Sequence, residues 1–114
     1  MSGAAREGSI PGPLPDIDRL VHEPARFAIL AHLYVVEKAD FTFLLNQTGL
    51  TRGNLSSHMS KLEEAGYIEV EKRFVARKPL TVLKLSEMGR KAFVDYRQQM
   101  QQVLEELPQG ASEG

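Results

Sequence analysis

Residues 41–62 constrain the fold most, because they form two amphipathic stretches interrupted by a glycine. Leu44 and Leu45 supply the apolar face of the first stretch. Gly49 follows where a helix must end, since glycine adopts the left-handed conformation at low steric cost. Thr51 is well placed to cap a second helix through its side-chain oxygen. The segment therefore predicts two short helices joined by a tight turn.

The second stretch combines an apolar face with a polar face of unusual composition. Leu55, Met59 and Leu62 recur at helical spacing and are expected to pack inward. Most other positions from 51 to 61 are polar and none is acidic, so the outer face can enter a DNA major groove without repelling phosphates. The predicted contacts with DNA are Thr51, Arg52, Asn54, Ser56, Ser57 and Lys61. An ordinary corner between two helices is the alternative interpretation.

The residues that follow favour a helix-turn-helix. Gly66 ends the second helix, and residues 67–71 alternate apolar and charged side chains as a half-buried strand does. A basic stretch leads into a second strand-like run at residues 80–85. This order predicts a winged helix, an α+β fold that is mainly α with a small β-hairpin. The candidate DNA contacts on the wing are Arg73, Arg77 and Lys78; the alternative is that these charges only keep a hairpin edge soluble.

The N-terminal part contains a compositional boundary. Residues 1–15 hold three prolines and three glycines, which predicts a flexible tail. The winged helix-turn-helix domain is expected over residues 16–86, beginning with a short turn capped by Asp16 and a longer helix with Pro24 at its first position. Phe41 is expected in a short strand or bridge beside the wing, with Thr42 capping the next helix. Residues 108–114 are expected to form a second flexible tail.

The last helix, expected over residues 87–107, carries an apolar stripe at alternating steps of three and four. Because this helix extends well past the wing, the stripe predicts a homodimer, with help from three apolar side chains near residue 20. Packing within one chain is the alternative interpretation. The predicted interface consists of Ile17, Leu20, Val21, Phe93, Tyr96, Met100, Val103 and Leu107.

Composition narrows the function further. The net charge is −1, but residues 51–85 carry seven basic and four acidic side chains, a local charge of +3. The absence of cysteine excludes disulfides and thiolate metal sites. His58 is expected to be a partly buried structural histidine, and His22 and His32 are not at metal-ligand spacing. We therefore predict a cytoplasmic DNA-binding protein that is not an enzyme, with no metal, cofactor or membrane span.

Several motifs occur together along the chain. The most specific is Leu-Ser-x-His at residues 55–58, followed by Leu-Glu-x-x-Gly-Tyr at residues 62–67. Further matching segments are residues 19–26, 41–44, 49–54 and 85–89. With these motifs, the chain resembles the short bacterial and archaeal winged-helix transcriptional regulators of the MarR/ArsR type. The resemblance covers about residues 16–93.

The resemblance implies that the helix beginning near Thr51 reads the major groove and that the hairpin tip near Arg77 touches the minor groove. It also implies a homodimer at a palindromic operator in double-stranded DNA. We predict that the protein is a repressor, and activation is the alternative left open. The chain lacks the extra helices that form an effector pocket in larger members, and the effector is left open. A winged-helix adaptor that binds other proteins is the alternative function.

Overall fold

The computed structural model describes residues 17–108. Their order confirms the predicted winged helix, a mainly α-helical α+β fold with a small sheet and a long C-terminal helix. The predicted tail at residues 1–15 lies outside the described residues, as does the tail at 108–114 apart from Pro108. In chain order the elements are α1 (Arg19–His22), α2 (Pro24–Val36), β1 (Lys38–Asp40), α3 (Phe41–Thr48), α4 (Arg52–Glu64), β2 (Ile68–Val75), β3 (Lys78–Leu85) and α5 (Glu87–Glu106).

A side-chain oxygen caps the start of each helix, which satisfies N–H groups that have no partner within the helix. Pro24 occupies the first turn of α2, and Thr51 caps α4, as the sequence predicts. Asp18 caps α1, whereas the predicted cap Asp16 lies outside the described residues. The predicted cap Thr42 is wrong, because Thr42 lies inside α3. The five capping residues are Asp18, Glu23, Asp40, Thr51 and Ser86.

The sheet is antiparallel with β3 in the middle, in the order β1, β3, β2. The third strand, β1, pairs Ala39 with Leu83, so the bridge expected at Phe41 comes slightly earlier in the chain. Phe41 itself is the first residue of α3. The β2–β3 hairpin is the wing, and its register runs from the pair Ile68 and Leu85 to the pair Val75 and Lys78.

The core lies between α2 and the elements that surround it. Ile29, Leu30 and Leu33 of α2 are fully buried, together with Leu44, Leu55, Leu62 and Leu83 from α3, α4 and β3. Each such side chain contributes about 1.5–3 kcal/mol through its removal from water. Helix α2 is therefore the central helix on which the helix-turn-helix and the sheet are built. Among the described residues, no helix is both long and apolar enough to cross a membrane.

The start of α5 is fastened to the turn between α4 and the wing. The Ser86 hydroxyl donates to the Gly66 carbonyl at 2.6 Å, and the Ser86 N–H donates to the Tyr67 carbonyl at 3.1 Å. Gly89 passes so close that a Cβ on it would lie 2.0 Å from the same Tyr67 oxygen. The close approach requires glycine at this position and fixes the direction in which α5 leaves the domain.

Candidate nucleic-acid interface

The turn between α3 and α4 is fixed by local hydrogen bonds. Gly49 adopts a φ of 73°, and its N–H donates to the Leu45 carbonyl at 3.0 Å, as the predicted helix stop requires. The Thr48 hydroxyl donates to the Leu44 carbonyl at 2.7 Å. Thr51 then accepts the Asn54 N–H at 3.1 Å and starts α4. These contacts set the angle between the two helices of the motif.

Helix α4 presents one face to the core and the other to solvent. Leu55 and Leu62 are fully buried, and Met59 packs beside them. On the opposite side, every residue of this region that the sequence predicts to contact DNA is exposed, so the polar face is accessible to a partner. The exposed residues are Thr51, Arg52, Asn54, Ser56, Ser57 and Lys61. Arg52 lies toward α3, where its guanidinium carbon sits 5.9 Å from the centre of the Phe41 ring.

His58 lies on the side of α4 that faces α2 and is half-buried, as expected for a structural histidine. Arg26 Nη1 lies 3.2 Å from His58 Nδ1, and Glu23 Oε1 lies 3.9 Å from the same nitrogen. Burial acts to raise the pKa of Glu23, but the Arg26 N–H and the nearby charges of His58 and Arg26 lower it overall.

The wing ends in a two-residue turn formed by Ala76 and Arg77, which places Arg77 at the tip as predicted. Both residues have positive φ, 52° and 68°, as in the type I′ turns that match the twist of a hairpin. Arg73 and Lys78 flank the turn and are exposed. Within residues 17–108, Arg73 is the one cation of the wing in an ion pair, at 3.3 Å from Glu71.

The wing also contains exposed residues that the sequence pattern did not single out. Lys72 lies in the same basic stretch as Arg73, Arg77 and Lys78. Its place in that stretch was a sequence signal for a further candidate DNA contact. Phe74 is 75% exposed and Val75 is 54% exposed, although both are large and apolar. Their exposure follows from the length of the hairpin, which extends past the helices, and local sequence does not show how far the core reaches.

The predicted dimer residues divide into two groups. Val21, Phe93 and Tyr96 are buried in the core of their own chain, where both aromatic rings of α5 contact Phe27. These three side chains are therefore covered by their own chain in this conformation, and their part in an interface stays a prediction. The intrachain interpretation of the stripe holds for this first half of α5.

The remaining interface candidates are more accessible. They are half-buried and comprise Ile17, Leu20, Met100, Val103 and Leu107. Ile17, Leu20 and Met100 pack partly against the core, whereas Val103 and Leu107 lie toward the end of α5. Leu104 beside them is 63% exposed, although it is apolar.

The sequence pattern of the winged helix DNA-binding domain family matches residues 25–104. This match covers α2 through most of α5, including the whole helix-turn-helix and the wing. The chain therefore belongs to the winged helix DNA-binding domain family.

Relatives agree with this assignment. An uncharacterised protein of Methanocaldococcus jannaschii is 37% identical over 78 residues, which are 68% of this chain and 85% of the relative. A transcriptional regulator homologue from Pyrococcus horikoshii has a similar structure, with a TM-score of 0.73 and 27% identity over 77% of this chain and 87% of that one. A transcriptional regulator of Sulfolobus solfataricus shares the fold, with a TM-score of 0.61 and 18% identity over 82% of this chain and 62% of that one. The predicted likeness to winged-helix transcriptional regulators is confirmed.

Proposed function

We propose that this protein is a dimeric transcriptional repressor that binds duplex DNA with α4 in the major groove and the wing on the backbone and minor groove. The observation that carries the proposal is the exposed polar face of α4, which holds no acidic residue from Thr51 to Lys61 and follows a hydrogen-bonded turn. Repression is the proposed role because a protein that occupies an operator blocks polymerase by exclusion. The proposed location is the cytoplasm, where a bacterial or archaeal operator lies.

Asn54, Ser56 and Ser57 are the proposed readers of sequence. They lie in the first two turns of α4, the part of a recognition helix that points at base edges. The amide of Asn54 can donate to and accept from one adenine, a pair worth about 1–3 kcal/mol against the wrong base. Thr51, Arg52 and Lys61 border this surface and are proposed to contact phosphates.

Arg73, Arg77 and Lys78 are proposed to attract DNA without reading its sequence. All three are exposed on the wing, and Arg77 lies at its tip. Arginine suits a narrow minor groove, where the negative potential is enhanced. Each phosphate that these side chains neutralise releases counterions, so their contribution is expected to fall as salt rises.

The homodimer is proposed to form through the second half of α5. Met100, Val103 and Leu107 continue the apolar stripe there, and the exposed Leu104 adjoins it. Ile17 and Leu20 are proposed to contribute at the edge. A dimer built this way should place its two copies of α4 about 34 Å apart, at half-sites one turn of DNA from each other.

Selection of bound duplexes from random DNA, followed by affinity measurements, tests the DNA-binding proposal. The selected duplex should bind at least about 1,000-fold more tightly than a scrambled one. If the protein binds neither duplex at about 50 mM salt, the proposal fails and the adaptor function replaces it. Repression is tested by transcription in vitro from a promoter that carries the selected site.

Light scattering on a matched pair of variants tests the dimer. Met100→Glu with Val103→Glu should yield monomers, because each chain would have to bury two charges in the dimer interface. Gln98→Glu with Gln102→Glu adds the same charge on the exposed opposite side of α5 and should leave the dimer intact. A monomeric unmodified protein at tens of micromolar contradicts the proposal.

A further inference from the structure

Phe74 is the most exposed aromatic side chain among residues 17–108. It is 75% exposed, whereas Phe27 and Phe43 are each 38% exposed. Val75 next to it is 54% exposed. Exposing a large ring to water forgoes the free energy that its burial would supply, and a single hairpin tip concentrates two such side chains here.

The hairpin itself gives no reason for an aromatic ring at this position. Phe74 pairs with Pro79, next to the pair Val75 and Lys78 that closes the two-residue turn. Farther along the same sheet face, Ile68 and Leu83 are buried in the core. Side chains on one face of a strand repeat every second residue, so Phe74 continues the core-facing row beyond the helices that cover it.

The charges around Phe74 indicate the chemistry of its partner. Lys72 lies on the same sheet face as Phe74, Arg73 and Lys78 lie on the opposite face, and Arg77 lies in the turn. No acidic residue occurs from Lys72 to Leu85. A binding partner must therefore combine negative charge with an apolar surface. The minor groove of DNA has both, because phosphates border a groove whose walls are deoxyribose rings.

We propose that Phe74 is an apolar wedge that enters the DNA minor groove and packs against its sugar walls, with its cross-strand partner Pro79 beside it on the same sheet face. This inference rests on the proposed DNA binding and adds a contact of a different physical kind. A cation on the wing acts through counterion release and depends strongly on salt, whereas an apolar contact removes surface from water. The two contributions can therefore be separated by salt titration.

The test compares Phe74→Ala with Val35→Ala in affinity measurements on the selected duplex across a range of salt. Val35 is 79% exposed near the end of α2, a helix that contributes no residue to the proposed DNA contacts, so its variant should bind like the unmodified protein. Phe74→Ala should weaken binding about tenfold, which corresponds to about 1.4 kcal/mol. The slope of log affinity against log salt should stay unchanged, and Phe74→Leu should recover most of the loss.

Hydroxyl-radical footprinting supplies a second readout, since these radicals cleave DNA at deoxyribose positions exposed in the minor groove. Protection of the sugars under the wing should be present with the unmodified protein and absent with Phe74→Ala. Equal affinity and equal protection for the two proteins would overturn the wedge while leaving DNA binding intact. Failure of the unmodified protein to bind DNA would overturn both proposals.

Two other occupants of the wing surface are outcomes of the same experiments. If Phe74→Ala changes the molar mass in light scattering, the ring mediates contact with a second copy and the wedge is wrong. If the unmodified protein sediments with vesicles of anionic phospholipid, and Phe74→Ala does not, while DNA affinity is equal for both, the occupant is a membrane surface and the wedge is wrong.

Discussion

Helix α4 and the outer end of the wing are both proposed to contact DNA, but the protein holds them in different ways. Helix α4 is anchored on its inner side by buried Leu55 and Leu62. The Thr51 cap and the contact between His58 and Arg26 add to this anchoring. Residues 72–79 are exposed on both faces of the hairpin and meet in a turn of two residues with positive φ. Reading a base edge requires a side chain fixed within a fraction of an ångström, whereas attraction between charges acts over about 8–10 Å. Rigidity is therefore concentrated in the region proposed to read sequence.

The largest expected difference between the two regions is in the cost of removing an apolar side chain. Leu55→Ala should lower the free energy of unfolding by about 2–5 kcal/mol, since a fully buried leucine leaves a cavity. Phe74→Ala should lower it by at most about 1 kcal/mol, mainly through β-propensity. Denaturant unfolding measures both. A loss below about half a kcal/mol for Leu55→Ala would mean that it faces solvent and that α4 is rotated.

The cap of α4 should make a smaller contribution. Thr51→Ala removes the acceptor for the Asn54 N–H and should cost about 1 kcal/mol. Thr42→Ala is the matched control, because Thr42 is an exposed residue inside α3, which Asp40 caps. Denaturant unfolding of the two variants compares them directly. Equal losses would show that the Thr51 hydrogen bond adds nothing to stability.

The turn of the wing should gain stability from a residue that tolerates its conformation. Ala76 has a φ of 52°, and asparagine adopts such angles more readily than alanine does. Ala76→Asn should therefore raise the free energy of unfolding by about 0.5–1 kcal/mol. Ala65→Asn is the control, because Ala65 ends α4 with a φ of −78° and should gain nothing. A gain at both positions would show that relief of backbone strain is not the cause.

A pH-dependent effect is expected at Tyr67, in the turn that joins α4 to the wing. Burial, the 2.5 Å hydrogen bond to Asp18 and the charge of Asp18 raise the pKa of Tyr67 to about 12. The unfolded tyrosine has a pKa of about 10. The folded state therefore keeps its proton to a higher pH, and this contribution to stability is complete below about pH 10 and disappears as the pH rises from about 10 to 12.

Unfolding of the wild type and Tyr67→Phe across this pH range tests the contribution of Tyr67. The difference in unfolding free energy between the two proteins should shrink as the pH rises through this window. Other groups that titrate there are common to both proteins and cancel in the difference. A difference that stays constant would show that the Asp18 hydrogen bond does not favour the protonated phenol.

Sequence predicted the features that local chemistry decides. Gly49 and Thr51 each have a residue type suited to one task, and both perform it. The cap of α3 was missed, because Asp40 and Thr42 are both suitable types two residues apart. The choice depends on β1, whose pairing of Ala39 with Leu83 joins distant parts of the chain.

The apolar stripe of α5 shows a second limit of prediction from sequence. Its spacing predicts that one side of the helix is covered, but the spacing is the same whether the cover is the chain itself or a second copy. Phe93 and Tyr96 contact Phe27 of their own chain, whereas Leu104 remains 63% exposed. The exposure of Phe74 could not be predicted from sequence either, since the alternation of apolar and polar residues along a strand does not show where the covering helices end.

A salt titration of DNA affinity with Asn54→Ala and Arg77→Ala, on the selected duplex and a scrambled one, is the decisive test of this division of roles. Asn54→Ala should weaken binding to the selected duplex alone and leave the salt slope unchanged. Arg77→Ala should weaken binding to both duplexes alike and reduce the slope by about one for each phosphate that is no longer neutralised. If Arg77→Ala changes neither affinity nor slope on either duplex, the wing does not touch DNA and the proposed division of roles is contradicted.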